Sequence, residues 1–250
     1  MLKHRIIPCV LLKNWQLVKS IQFRDFRTIG HPISTVRIYN ARNVDELIVL
    51  DIDASINNEE INLELIRDMS DECFMPLTIG GGIRTIENIY QVLNAGADKI
   101  AINTEALENP DFIRQASNIF GSQCIVVSID VKRTEEGQYK IYNKKLGEIE
   151  RDPFHWAKEC ESLGAGEILL TSIDNEGLQN GYNLELLSKM AKFVNIPIII
   201  NGGCGIPQHC SDAIMSGADA VAASSIFHFS QFTPNDIKTD MKQNGLSVRI

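Results

Sequence analysis

Residues 76–104, PLTIGGGIRTIENIYQVLNAGADKIAINT, align without a gap on residues 197–225, PIIINGGCGIPQHCSDAIMSGADAVAASS, at a constant offset of 121. Eight of the 29 positions are identical: Pro76/Pro197, Ile79/Ile200, Gly81/Gly202, Gly82/Gly203, Gly96/Gly217, Ala97/Ala218, Asp98/Asp219 and Ala101/Ala222. The same offset pairs Glu46, Ile52 and Asp53 with Glu167, Ile173 and Asp174. Chance does not hold one register across both stretches, so the chain reads as a duplicated half-domain. Each copy carries a Gly-Gly strand end and, one strand later, a polar strand end: Asn103-Thr104 in the first, Ser224-Ser225 in the second. Two such sites point to a ligand with two anionic ends.

Around this repeat, apolar runs rich in Ile, Val and Leu recur at 5–10, 46–52, 75–79, 98–102, 124–130, 167–172, 197–201 and 219–223. Such runs predict strands buried on both faces. Helical periodicity falls near 32–42, 58–72, 84–95, 108–119, 152–164, 183–193, 206–216 and 233–244. Connections are short except for loops expected at 11–31 and 131–151. Eight βα units in four-plus-four arrangement predict a single (β/α)8 barrel domain over residues 1–250, with half-barrels of about 1–120 and 121–250. An open doubly wound sheet is the competing arrangement, and it leaves the equal halves unexplained.

Composition narrows the functional class. With 250 residues and 44% hydrophobic content, the chain can bury a large core. No apolar run approaches the ~18 residues of a membrane span, and the first residues lack a signal-peptide pattern. A cytoplasmic protein is expected. The six cysteines (Cys9, Cys73, Cys124, Cys160, Cys204 and Cys210) have no Cys-x-x-Cys spacing, which favours reduced thiols over a disulfide frame or a metal site. No metal or cofactor is expected, and the net charge of −8 argues against a nucleic-acid partner.

In a barrel of this kind the strand C-termini form the reactive face. Those ends read Asp51, Gly80-Gly81-Gly82, Asn103-Thr104, Asp130, Thr171-Ser172, Gly177, Gly202-Gly203 and Ser224-Ser225. Glycine lets the backbone approach a ligand and leaves N–H groups free to face phosphate oxygens. The alternative is that the glycines only make tight turns, but two pairs at matching positions favour phosphate.

Across nearly its whole length the chain resembles the cyclase subunit of imidazole glycerol phosphate synthase, a barrel that takes ammonia from a glutaminase. The matching segments include RIIPC at the start, DELIVLDIDAS at 45–55, TIGGGI at 78–83 and GADKIAINT at 96–104. They continue with FGSQCIVVSIDVKR at 120–133, GAGEILLTSID at 164–174 and GADAVAASSIFHF at 217–229. The resemblance implies a catalytic role for Asp130 and one phosphate site at Gly82, Asn103 and Thr104. It implies a second at Gly177, Gly203, Ser224 and Ser225, with Thr171 among the substrate-binding strand ends. At the strand N-terminal face it implies a charged ring of Arg5, Glu46, Lys99 and Glu167, through which ammonia enters from a glutaminase partner. Lys19 matches a loop lysine that reaches a phosphate, although a solvated lysine is the safer reading.

The departures carry as much information. The family places a catalytic aspartate at the end of the first strand, where this chain has Leu11. The internal repeat suggests the same asymmetry, since VLLK at 10–13 aligns with IDVK at 129–132, here at an offset of 119. Leucine cannot exchange a proton, and losing a positioned acid or base lowers rates by about 10²–10⁴. Asp53 and Glu176 are the candidate replacements; Asp53 could instead cap a turn after the second strand. Trp15, where the family has glycine, could stack on a ligand or anchor the loop.

Paralogues lacking the first-strand aspartate occur in pathways that make acetamidino sugars for bacterial surface polysaccharides. The resemblance therefore implies a lyase- or amidotransferase-type synthase subunit acting on a phosphorylated or nucleotide-linked sugar, with an ATP-dependent ligase as a further partner. Two alternatives stand beside it. One is the cyclase reaction of histidine biosynthesis, and the other is a non-catalytic ammonia conduit that activates the glutaminase.

Overall fold

A computed structural model describes residues 3–249. Eight parallel strands close on themselves in the order β1 (Arg5–Lys13), β4 (Leu47–Asp51), β5 (Leu77–Gly80), β6 (Lys99–Ile102), β7 (Ile125–Arg133), β10 (Glu167–Ser172), β11 (Ile198–Asn201) and β12 (Ala220–Ala223). Closure is made where β12 pairs with β1, Arg5 beside Ala220 through Pro8 beside Ala223. Helices follow the strands and cover the outside. This is a (β/α)8 barrel, and the open-sheet alternative is excluded.

The strands form because both of their faces are covered by apolar groups. Side chains alternate: Ile7, Cys9, Ile48, Ala101, Val126, Leu169, Ile199, Ala220 and Ala222 fill the barrel interior. Ile6, Val10, Leu47, Val49, Val127, Leu170 and Ile200 pack outward against the helices. No described helix is long and apolar enough to cross a membrane.

The repeat recurs as repeated hydrogen bonds. Leu77 N donates to Asp98 Oδ2 at 2.8 Å, and Ile198 N donates to Asp219 Oδ2 at 2.9 Å. Asp98 N and Asp219 N return bonds to the carbonyls of Leu77 and Ile198. The Gly-Ala-Asp repeats thus fasten the start of one strand to the start of the next. Asn62 and Asn183, again 121 apart, cap their helices through Leu65 N and Leu186 N.

The structure departs from the sequence expectation in the two long connections. Both are β-hairpins extending barrel strands. β2 (Gln16–Ile21) and β3 (Arg24–Gly30) continue from β1, while β8 (Tyr139–Asn143) and β9 (Gly147–Ile149) continue from β7. The first uses two-residue turns at Asn14-Trp15 (φ 48° and 62°) and Gln22-Phe23 (φ 50° and 61°). Paired positive φ suits the twist of a tight hairpin, but the glycine that usually signals it is missing. Two expected helices start late, each preceded by a short extra helix. Within the 58–72 segment the helix is Leu63–Asp71, and the short helix Ala54–Asn57 ahead of the segment ends at Asn58 in a left-handed conformation. Within the 108–119 segment the helix starts at Asp111 and runs to Phe120, and the short helix Thr104–Glu108 ends before it because Asn109 precedes Pro110 and is pushed out of helical geometry.

Candidate active site

Inward-facing positions define the two ends of the barrel. At the strand N-termini, Arg5, Glu46, Lys99 and Glu167 meet in one closed ring of ion pairs. Arg5 Nη1 donates to Glu46 Oε1 at 2.7 Å and to Glu167 Oε1 at 2.8 Å. Lys99 Nζ lies 3.2 Å from both carboxylates. Each cation touches both anions, so the four charges compensate, and all four side chains are largely buried. Burial opposes the Arg5 charge, but Glu46 and Glu167 outweigh it and raise the guanidinium pKa above its ordinary value.

At the opposite end lies an open cavity of about 140 Å3, far more than the ~10–15 Å3 that a single water requires. Asp130 sits in its wall. Asn103 Nδ2 donates to Asp130 Oδ2 at 2.8 Å, and Thr171 and Ser128 also hydrogen-bond the carboxyl. Burial pushes this carboxyl up to about 7, against the downward pull of those three donors. Near neutral pH the group therefore has both a protonated and an ionised population, as an acid or base operating at pH 7 requires.

Two amides hold this arrangement in place. Asn143, 4% exposed on β8, donates to Asn103 Oδ1 at 3.0 Å and to Thr104 Oγ1 at 3.1 Å. That bond orients the Asn103 amide with its nitrogen toward Asp130. On the other side, Asn201 Nδ2 donates to Thr171 Oγ1 at 3.2 Å, leaving the Thr171 proton for Asp130.

Leu11 also lines the cavity. Ile52 N bonds to Leu12 O just as Ile173 N bonds to Val131 O, so Leu11 and Asp130 occupy equivalent places on β1 and β7. Leu50, Ile83, Ile102 and Phe26 extend the apolar wall on the Leu11 side. The cavity is consequently two-sided, with apolar residues from the first strands and polar residues around Asp130.

Neither candidate replacement for the missing carboxylate is free. Asp53 lies at the rim, bound to Lys13 at 3.0 Å and Lys144 at 3.1 Å, with both ammonium groups over the Phe26 ring. Its capping alternative falls to Asp51, whose Oδ1 accepts the N–H groups of Asp53 and Ala54. Glu176 does line the cavity, at 3% exposure. There it is paired with Lys19 and accepts from Ser20 Oγ at 3.0 Å. Lys19 is buried, contrary to the solvated reading. Trp15 is half exposed at a hairpin turn and lies outside this cavity.

The two glycine cradles share backbone form. Gly81 and Gly82 have φ of 105° and 71°, and Gly202 and Gly203 have φ of 91° and 110°. Gly81, Gly82, Asn103 and Thr104 border the cavity, whereas Gly177, Gly203, Ser224 and Ser225 do not. Ser55, at the first cradle, accepts from Gly82 N at 3.2 Å and lines the cavity, so its own proton is available to a ligand. Sequence reading passed over Ser55, Asn143, Lys144 and Lys145 as site residues. Ser55 stands in the DIDAS segment that carried the family resemblance; the other three lie in a connection read as a loop.

Comparison with known proteins agrees with this architecture. The model of the histidine biosynthesis protein family matches residues 5–233. A Campylobacter jejuni protein, provisionally named imidazole glycerol phosphate synthase subunit hisF2, is 59% identical over the full length of both chains. The imidazole glycerol phosphate synthase subunit HisF of Leptospira biflexa is 44% identical over all of this chain and 99% of its own. Its counterpart from Methanococcus maripaludis is 42% identical over the full length of both. With the barrel, the cavity and this similarity in hand, the chain belongs to the cyclase subunit family of imidazole glycerol phosphate synthase.

Proposed function

We propose that this barrel is the ammonia-accepting subunit of a glutamine amidotransferase pair. In this reading a glutaminase docks on the strand N-terminal face, and a phosphorylated substrate binds at the opposite mouth. The observation that carries it is the closed Arg5–Glu46–Lys99–Glu167 ring at one end of an apolar interior whose other end opens at Asp130. Neutral ammonia can cross apolar lining that charged solutes cannot. The ring admits it when one of the four ion pairs parts. Gly82, Asn103 and Thr104, with Ser55 and the rim lysines, would hold the substrate's phosphate. Asp130, half protonated near pH 7, then moves the proton that ammonia must lose when it bonds to carbon.

Leu11 supports amidation of a phosphorylated or nucleotide-linked sugar over ring closure, because a single proton-carrying wall suits one nucleophilic addition. The relatives' names and their 42–44% identity over the full chain favour a second reading, the imidazole glycerol phosphate synthase reaction itself. Steady-state turnover on the histidine-pathway intermediate with ammonium salts separates the two. A rate of ~1 per second or more supports the synthase, and a rate 10²–10⁴ lower supports the amidation. Loss of glutaminase stimulation on Glu46→Ala or Glu167→Ala tests the docking face. A cognate glutaminase that does not bind removes the shared premise.

A further inference from the structure

Cys204 and Cys210 bring two thiols together beside the second glycine turn. Their sulfurs lie 3.4 Å apart, and the two residues are 4% and 0% exposed. Among the described residues these are the two of the six cysteines in sulfur–sulfur contact, whereas Cys160 is as deeply buried with no thiol beside it. A buried cysteine alone packs as a small apolar group. Two in contact can do more, because each holds the other at the short range from which a disulfide closes.

The local sequence builds the contact. Cys204 directly follows Gly203 after β11, and Cys210 stands in the helix Pro207–Met215, so the Gly205-Ile206 turn folds one sulfur back onto the other. Tyr182 closes the far side, its OH donating to Ala222 O at 2.9 Å and lying 4.0 Å from Cys210 Sγ. The hydrogen bond to Cys204, together with burial, holds the Cys210 thiol well above its ordinary pKa. Cys210 therefore keeps its proton and shares it with Cys204 Sγ, which leaves Cys204 as the sulfur that reacts first. Cys204 also has the residual exposure of the pair. The turn itself has no slack. Gly181 N donates to Gly203 O at 2.8 Å, and a Cβ on Gly203 or Gly205 would fall 2.1 Å from Gly181 O or 2.2 Å from Gln179 O.

We propose that Cys204 and Cys210 form a peroxide-sensitive dithiol site, whose closure to a disulfide shifts the turn that carries Gly202 and Gly203. The Cys204 sulfur attacks one oxygen of hydrogen peroxide, the O–O bond breaks, and the released hydroxide leaves with the thiol proton as water. The Cys210 sulfur then attacks the sulfenic sulfur, the S–O bond breaks, and hydroxide leaves with the Cys210 proton as a second water. Peroxide is reduced and the two thiols are oxidised. Closing from contact to a disulfide bond requires the sulfurs to approach by roughly 1.4 Å, and the tightly packed turn next to Cys204 takes up that movement. The site stands whatever ligand the turn holds.

The test exposes the folded full-length protein to hydrogen peroxide and then alkylates the remaining thiols after denaturation. Trypsin leaves both cysteines in one peptide, since no Lys or Arg occurs between Lys192 and Lys238. That peptide should become lighter by two hydrogen atoms and escape alkylation, at least ~10-fold faster than Cys160 is oxidised, and a phosphine reductant should restore it. In the same samples the ¹⁵N amide signals of Gly203 and Gly205 should move on oxidation and return on reduction. A peptide that stays fully alkylated overturns the site, as does a disulfide to any other cysteine. Loss of Cys160 at the same rate means that reaction follows unfolding, and it overturns the site too. A disulfide that leaves both amides unmoved overturns the coupling to the turn. Cys210→Ser removes the resolving thiol, so Cys204 should stop at the sulfenic acid and take a dimedone label; absence of the label overturns the order of attack. Should that variant not fold, the wild-type peptide and amide signals decide the proposal by themselves.

Discussion

Replacing Asp130 with Asn should stabilise the protein at alkaline pH, and the amount follows from the carboxyl's surroundings. In the unfolded chain the group titrates near its ordinary value of 3.8, and in the folded barrel burial pushes it up to about 7. A folded-state value above the unfolded one means that ionisation opposes folding. The penalty is absent below pH 3.8, grows as the pH rises between the two values, and is fully present above about 7. At 1.36 kcal/mol for each pH unit of separation, the full penalty is about 4 kcal/mol. Between pH 5 and pH 8 the wild type should lose about 2–3 kcal/mol relative to Asp130→Asn. Comparing the two proteins cancels every other titrating group, and packing changes from the amide are the same at both pH values. Urea denaturation at pH 5, 6, 7 and 8 measures the difference directly. If the two proteins run parallel within ~0.5 kcal/mol, a margin set by ordinary surface substitutions, the carboxyl is not perturbed and its dual acid–base role fails.

Asn143→Ala should release the Asn103 amide from its orientation, weaken the donor that lowers Asp130, and move the midpoint of that pH dependence upward; an unchanged midpoint would show that Asn103 holds its place unaided. Gly81→Ala should destabilise by about 2 kcal/mol or more, because a Cβ there meets Asp51 O at 2.2 Å on a backbone with φ 105°; unaltered thermal unfolding would contradict this. Lys238 is 2% exposed and bonds to Asn43 O at 2.7 Å and Asp45 Oδ1 at 3.0 Å. Lys238→Met strands the Asp45 charge and should lose about 3–5 kcal/mol, measured by denaturant unfolding, and a loss under ~1 kcal/mol would mean that Asp45 finds another partner.

The barrel was legible in the sequence because its signals are local and repeated. Buried strands need runs of Ile, Val and Leu, and tight turns near a ligand need glycine. The 121-residue offset carries both signals twice. The same logic exposes the asymmetry at the mouth, since aligning VLLK with IDVK sets Leu11 against Asp130. Tertiary structure decided what lies between segments distant in the chain. Asn14-Trp15 and Gln22-Phe23 turn with positive φ but without glycine, so nothing local marked their segment as a hairpin. Lys19 and Glu176 are 157 residues apart, and a lysine in an apparent loop is solvated unless a buried carboxylate comes to meet it. Asp53 reads as a possible carboxylate of the mouth, but Lys13, at the end of β1, and Lys144, in the β8–β9 turn, both pair with it. Two cradles with matching glycine patterns are equivalent in sequence; only the tertiary structure sets Ser20 and Ile21 of one hairpin against Gly177, because what packs above a residue is not written in the residue itself.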